Sequence, residues 1–116
     1  MCHVLIIEDE YLIADFMAWM AETNGANTTS IAGSEAAAVA SAMNQVPDLI
    51  ISDVNLASGG RGPKAVERIR ATLGNIPVIF VTATPNDCSP CDYASAILDK
   101  PVQPERLVAA MHAIHG

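Results

Sequence analysis

Four short apolar runs in this chain each close on a side chain able to do polar chemistry. "HVLII" is followed by Glu8 and Asp9, with Glu10 behind them; "DLIISDV" holds Asp53; "IPVIFVTA" holds Thr82; "AILDK" ends on Lys100. Taken singly, each has an ordinary explanation. An acid near the first turn of a helix contributes about 0.3–1 kcal/mol against the helix dipole, aspartate forms turns, threonine suits strands, and lysine faces water. Taken together they form a constellation. Three carboxylates brought close together repel, and in a partly desolvated crevice that repulsion raises their pKa values or opens the site. A divalent cation removes the difficulty, and hard oxygen ligands with room left for water suit Mg2+ or Mn2+. Lys100 then supplies a second positive group and Thr82 a hydroxyl, which is what an added phosphoryl group needs around it. Asp53 is the candidate nucleophile.

These residues meet only if the runs that carry them lie side by side. The apolar pattern alternates between short β-branched runs and helical spacing, with no linker and no internal repeat, which is the mark of an α/β fold. The first run, 3–7, reads as a strand covered on both faces; Leu12, Ile13, Phe16, Met17 and Met20 follow at helical spacing until Asn24-Gly25. A strand at 28–32 leads to Ser34, a good N-cap, and to an alanine-rich helix carrying Val39 and Met43 that ends before Pro47. The third strand spans 48–54; Pro63 opens a helix lined by Val66, Ile69 and Leu73 and stopped at Gly74-Asn75. The fourth strand is 76–83 and the fifth 96–100, and Leu107, Val108, Met111 and Ile114 line a last helix that begins near Pro104. Between Thr84 and Ser95, Pro85 and Pro90 interrupt any periodicity, so a helix there is expected to be short or distorted. Strands alternating with helices imply a parallel sheet, and ligands in such sheets bind beyond the carboxyl ends of the strands. That is where Glu8, Asp9, Asp53, Thr82 and Lys100 fall.

The 116 residues suit one domain, read as 1–116, and 51% hydrophobic against 16% charged residues favours a well-buried core over disorder. A formal net charge of −7, with no run among the Lys and Arg residues, opposes binding to nucleic acid or to anionic membrane surfaces. No apolar stretch approaches the roughly 20 residues of a membrane span and no secretion signal opens the chain, so a cytoplasmic protein is expected. The three cysteines are Cys2, Cys88 and Cys91. The last two form a C-x-x-C, but no second Cys or His pair stands near to complete a zinc site.

The sequence resembles the receiver domains of two-component response regulators. The resemblance runs from Val4 to about Ile114 and rests on "IIEDE", "DLIISDVNL", "PVIFVTA" and "LDKPV", in that family's order and at similar spacing. It implies a flavodoxin-like, doubly wound five-stranded parallel sheet of order 2-1-3-4-5 with helices on both faces. It also implies Asp53 as the phosphoacceptor, with Glu8, Asp9, Asp53 and the backbone carbonyl of Asn55 around the cation. Thr82, beside Ala83, would be the switch hydroxyl, Lys100 the phosphoryl-binding lysine, and Lys100–Pro101 a cis bond. The donor would be a histidine kinase or phosphotransfer protein carrying phosphohistidine. A downstream protein would bind the face between the fourth strand and the last helix, which could also form a weak homodimer. Such a receiver catalyses its own phosphorylation and dephosphorylation rather than conventional turnover.

Two features depart from the family. Many receivers carry Tyr or Phe three residues before the lysine, where this chain has Ile97, and Tyr93 is read first as a packed loop residue and second as a contributor to the switch; the segment between Thr82 and Lys100 is also short and proline-bearing. No effector segment follows the last helix, so a stand-alone receiver is expected. Three rivals remain. An aspartyl-nucleophile phosphatase of the haloacid-dehalogenase kind needs an acid two residues after the nucleophile, where Asn55 stands. A pseudo-receiver would bind partners without phosphorylation, and a thiol sensor would act through Cys88 and Cys91.

Overall fold

His3 to Ile7 are buried without alternation, because the strand they form has helices on both faces, as a continuous β-branched run requires. The structure is a computed structural model and describes residues 2–57, 59–84 and 92–115. Strands and helices follow one another as β1 (His3–Ile7), α1 (Tyr11–Thr23), β2 (Thr28–Ala32), α2 (Glu35–Asn44), β3 (Leu49–Asp53), α3 (Gly62–Leu73), β4 (Val78–Thr82), β5 (Ala96–Asp99) and α4 (Pro104–His115). Among the described residues the sheet has five parallel strands in the order β2-β1-β3-β4-β5. This is the doubly wound α/β fold expected from the sequence. The third, fourth and fifth strands are each shorter than the apolar runs suggested: Asp48, Val54, Ile76, Ala83 and Lys100 lie outside the strand bounds.

The two-residue period of the strands sorts the core into two layers. Val4, Ile6, Leu49, Ile51, Ile79 and Val81 face α1 and α4, where Met17, Leu107 and Met111 meet them. Leu5, Ile7, Ile50, Val78 and Phe80 face α2 and α3, where Ala38, Ala42, Val66 and Ile69 meet them. The small alanine face of α2 lets that helix approach the sheet closely, and Met43 on its far side stays 40% exposed.

Local signals set the helix ends. Ser34 Oγ accepts from the Ala37 amide at 3.1 Å, and Pro63 sits in the first turn of α3. Gly74, in the left-handed region at φ 95°, ends α3. Of the expected apolar stripe of α1, Met17 and Met20 are buried and Ile13 and Phe16 pack against the core, while Leu12 does not. Ala14, Met17, Ala18, Met20 and Ala21 form the buried face, whereas Leu12 is 82% and Trp19 58% exposed. Hydropathy alone ranks Leu and Trp above Ala, but the close packing of α1 against β1 favours the small side chains.

The short helix expected between Thr84 and Ser95 falls mainly outside the described residues, as do Cys88 and Cys91. No helix among the described residues is long and apolar enough to cross a membrane.

Candidate functional site

The carboxyl ends of β1, β3, β4 and β5 meet at one edge of the sheet, aligned by strand register. Asp53 is paired with Val81 and Thr82 with Asp99. The ladder extends one residue beyond β5, where the Lys100 amide donates to the Thr82 carbonyl at 2.9 Å. The same happens beyond β1, where the Glu8 amide donates to the Ala32 carbonyl at 3.0 Å. Glu8, Asp53 and Thr82 are all buried. Their placement follows from the chain leaving the sheet there: each is the last or next residue of a fully buried strand.

Lys100 joins two of the acids. Its Nζ lies 3.1 Å from Glu8 Oε1 and 3.0 Å from Asp53 Oδ2. The second oxygen of Glu8 accepts from the Glu10 amide at 3.0 Å. Glu8, Asp9 and Asp53 each offer a carboxylate oxygen, all within 4.8 Å of one another. Burial pushes the Glu8 carboxyl above its ordinary range, against the opposing pull of the Glu10 amide and the Lys100 ammonium. Burial would lower the Lys100 pKa, but its hydrogen bonds to Asp53 and Glu8 outweigh that and raise it. The Lys100 ammonium thus bridges Glu8 and Asp53, two of the three clustered acids.

A cavity of about 390 Å³ opens on this cluster, with Asp53, Asn55, Thr82, Ala83, Thr84 and Lys100 in its wall. Thr82 Oγ1 accepts from the Thr84 amide at 3.0 Å, so the hydroxyl is tied to the chain that leaves β4. Asn55 and Arg61 pair across the β3–α3 connection as an isolated antiparallel bridge. The Lys100–Pro101 peptide bond is cis. Two residues singled out in the sequence lie away from this cluster. Ile97 is 39% exposed on β5; Tyr93 stands edge-on to Phe80 at 6.0 Å, with the Arg70 guanidinium 4.7 Å above its ring.

Sequence reasoning missed Gly62. A Cβ at this position would run into the Asp53 carbonyl and the Ser52 hydroxyl, so only glycine lets α3 begin against the end of β3. Glycines crowd the stretch before Pro63, and nothing in their spacing marks which one makes the close approach.

A family model for the response regulator receiver domain matches residues 4–112. The chain belongs to that family. This receiver is 35% identical over 111 residues to the phyllosphere-induced regulator PhyR of Methylorubrum extorquens, covering 93% of the present chain and 41% of that protein. It is 31% identical over 80 residues to the probable transcriptional regulatory protein TcrX of Mycobacterium tuberculosis, covering 69% and 33% respectively. The chain thus spans less than half the length of these curated relatives. Among solved structures, the receiver domain of Erythrobacter litoralis PhyR superposes with a TM-score of 0.87 at 29% identity, covering 98% of this chain and 89% of that one. The anti-anti-sigma factor PhyR of Bartonella quintana gives 0.84 at 33% identity, covering 98% of this chain and 47% of that one.

The donor set of this receiver suits a divalent cation. Three clustered carboxylates, and a cavity with space for water, match a small hard ion that keeps part of its hydration shell.

Proposed function

We propose that this receiver accepts a phosphoryl group from a phosphohistidine of a kinase or phosphotransfer protein onto Asp53, in a Mg2+-dependent reaction, and thereby changes its affinity for a protein partner. The observation that carries the reading is the Lys100 ammonium held between Glu8 and Asp53 at the mouth of a cavity that Thr82 also lines.

In the transfer, an Asp53 carboxylate oxygen attacks phosphorus in line, the P–N bond to imidazole breaks, and the leaving nitrogen keeps the bonding pair. Lys100 faces the oxygens of the transferring group and stabilises the charge they carry. Glu8, Asp9, Asp53 and the Asn55 carbonyl would hold the Mg2+, which when bound neutralises charge on the phosphoryl oxygens. Water later attacks the acyl phosphate, releasing phosphate and restoring the carboxylate. While the phosphoryl group is present, the Thr82 hydroxyl, beside Ala83, donates to it. Because that hydroxyl also accepts from the Thr84 amide, the connection leaving β4 moves with it. The effect is a local electrostatic change read at a distance.

The similarity to an anti-anti-sigma factor and the net charge of −7 both favour a protein as the downstream partner over DNA. The test is intact-mass measurement after incubation with Mg2+ and a small acyl phosphate. The mass of one phosphoryl group should be gained and should be lost when a chelator is present from the start. No gain would favour a phosphorylation-independent interaction module.

A further inference from the structure

The connection from β3 to α3 carries Asn55 and forms one wall of the cavity. It is closed by its own backbone: the Leu56 amide donates to the Gly60 carbonyl at 2.9 Å, the Gly59 amide to Leu56 at 3.0 Å, and the Gly62 amide to Val54 at 3.0 Å. Such bonds give a loop its shape. They do not fix its distance from an acid pair that another strand supplies.

A contact from α2 reaches this loop. Glu35, the first residue of α2, is half-buried, and its Oε2 accepts from the Arg61 amide at 2.8 Å. Gly60 runs close beside the same side chain, since a Cβ there would stand 3.3 Å from both Glu35 Cγ and Oε2. Two residues earlier, Gly33 lies against the acid pair: a Cβ on it would meet Asp9 Cβ at 3.5 Å and the Glu8 carbonyl at 3.9 Å. Ser34, between them, caps the helix. One corner of the fold, Gly33-Ser34-Glu35, thus touches the Glu8–Asp9 pair on one side and the loop that follows Asp53 on the other.

We infer that Glu35 is a positioning residue: its bond to the Arg61 amide holds the Asn55-bearing loop at the separation from Glu8 and Asp9 that cation binding requires. This rests on the function proposed above. The competing role for an acid at this place is to supply negative charge to the start of α2, and the two roles ask for different replacements. Glu35→Gln keeps an acceptor oxygen at the same reach and loses the charge. Glu35→Asp keeps the charge and falls one methylene short of Arg61. Glu35→Ala loses both.

The experiment measures two quantities on the full chain: amide hydrogen exchange at Arg61 without metal, and Mg2+ affinity from the titration of backbone resonances at Glu8 and Asp9. Glu35→Ala and Glu35→Asp should speed Arg61 exchange and weaken Mg2+ binding by about tenfold, the lower end of what loss of an outer-shell contact causes. Glu35→Gln should stay near wild type in both. Glu35→Asp behaving as wild type while Glu35→Gln matches Glu35→Ala would overturn the inference in favour of the charge, and so would unchanged exchange and affinity in all three. A wild type that takes up neither Mg2+ nor a phosphoryl group would instead overturn the function on which the inference rests.

Discussion

Lys100 Nζ lies 3.0 Å from Asp53 Oδ2, so the ammonium that would face a phosphoryl group already contacts the carboxylate proposed to receive it. The same ammonium touches Glu8, and it keeps two buried acids tolerable. Removing one partner of a buried pair leaves the other charge uncompensated, at a typical cost of about 3–5 kcal/mol. Lys100 retains 18% of its side-chain exposure, which reduces the effect. Lys100→Met should therefore lower stability by about 2 kcal/mol in metal-free urea denaturation at pH 7, and added Mg2+ should recover part of that loss.

The raised Glu8 carboxyl and the raised Lys100 ammonium act on stability at opposite ends of the pH range. Glu8 binds its proton more tightly folded than unfolded, so in the metal-free protein its contribution weakens the fold as pH rises from 4.5 through the elevated folded value. Lys100 is also raised, so its contribution is complete below 10.5 and is lost as pH climbs through its folded value. Glu8→Gln should remove the fall due to Glu8, so that the acid limb of the stability curve no longer gains from protonation as pH drops toward 4.5. The check is the midpoint of metal-free thermal unfolding from pH 4 to 8 in wild type and variant; an unchanged acid limb would count against the buried Glu8.

Mg2+ should stabilise the fold by mass action. At a concentration one hundred times its dissociation constant the gain is about 2.7 kcal/mol, readable as a rise in melting temperature. Asp9→Asn, which removes one of three clustered carboxylates, should abolish most of the rise. A wild type whose melting temperature is insensitive to Mg2+ would remove the acidic cluster from consideration as a cation site.

Gly62→Ala tests the junction of β3 and α3. The added Cβ meets backbone as well as the Ser52 hydroxyl, and backbone cannot swing aside as a flexible side chain can. The expected loss is about 3 kcal/mol, at the upper end for overpacking, measured by urea denaturation. Gly59→Ala, where a Cβ meets nothing within 4 Å but φ is 99°, should cost about 1 kcal/mol through left-handed strain alone.

Much of the fold was legible in the sequence because buried parallel strands advertise themselves as continuous apolar runs, and because Gly74 and Ser34 mark helix ends through chemistry local to the chain. The acidic cluster was legible for a related reason: the residue that follows each run necessarily stands at the sheet edge. Leu12 shows where that reasoning stopped, since the face α1 buries is completed by close packing of Ala14, Ala18 and Ala21 and not by the hydropathy of single residues. Glu35 and Gly62 were invisible for a deeper reason. What each does depends on a backbone group of a remote or adjoining element, the Arg61 amide and the Asp53 carbonyl, and backbone groups leave no mark in a sequence.

Phosphoryl transfer as proposed turns Asp53 into an acyl phosphate. Borohydride cleaves such a mixed anhydride and converts the aspartate to homoserine, which peptide mass mapping locates. After treatment with Mg2+ and a small acyl phosphate, homoserine should appear at position 53 and should be absent in Asp53→Asn. Homoserine at another aspartate, or its absence from a wild type that binds Mg2+, would contradict transfer to Asp53.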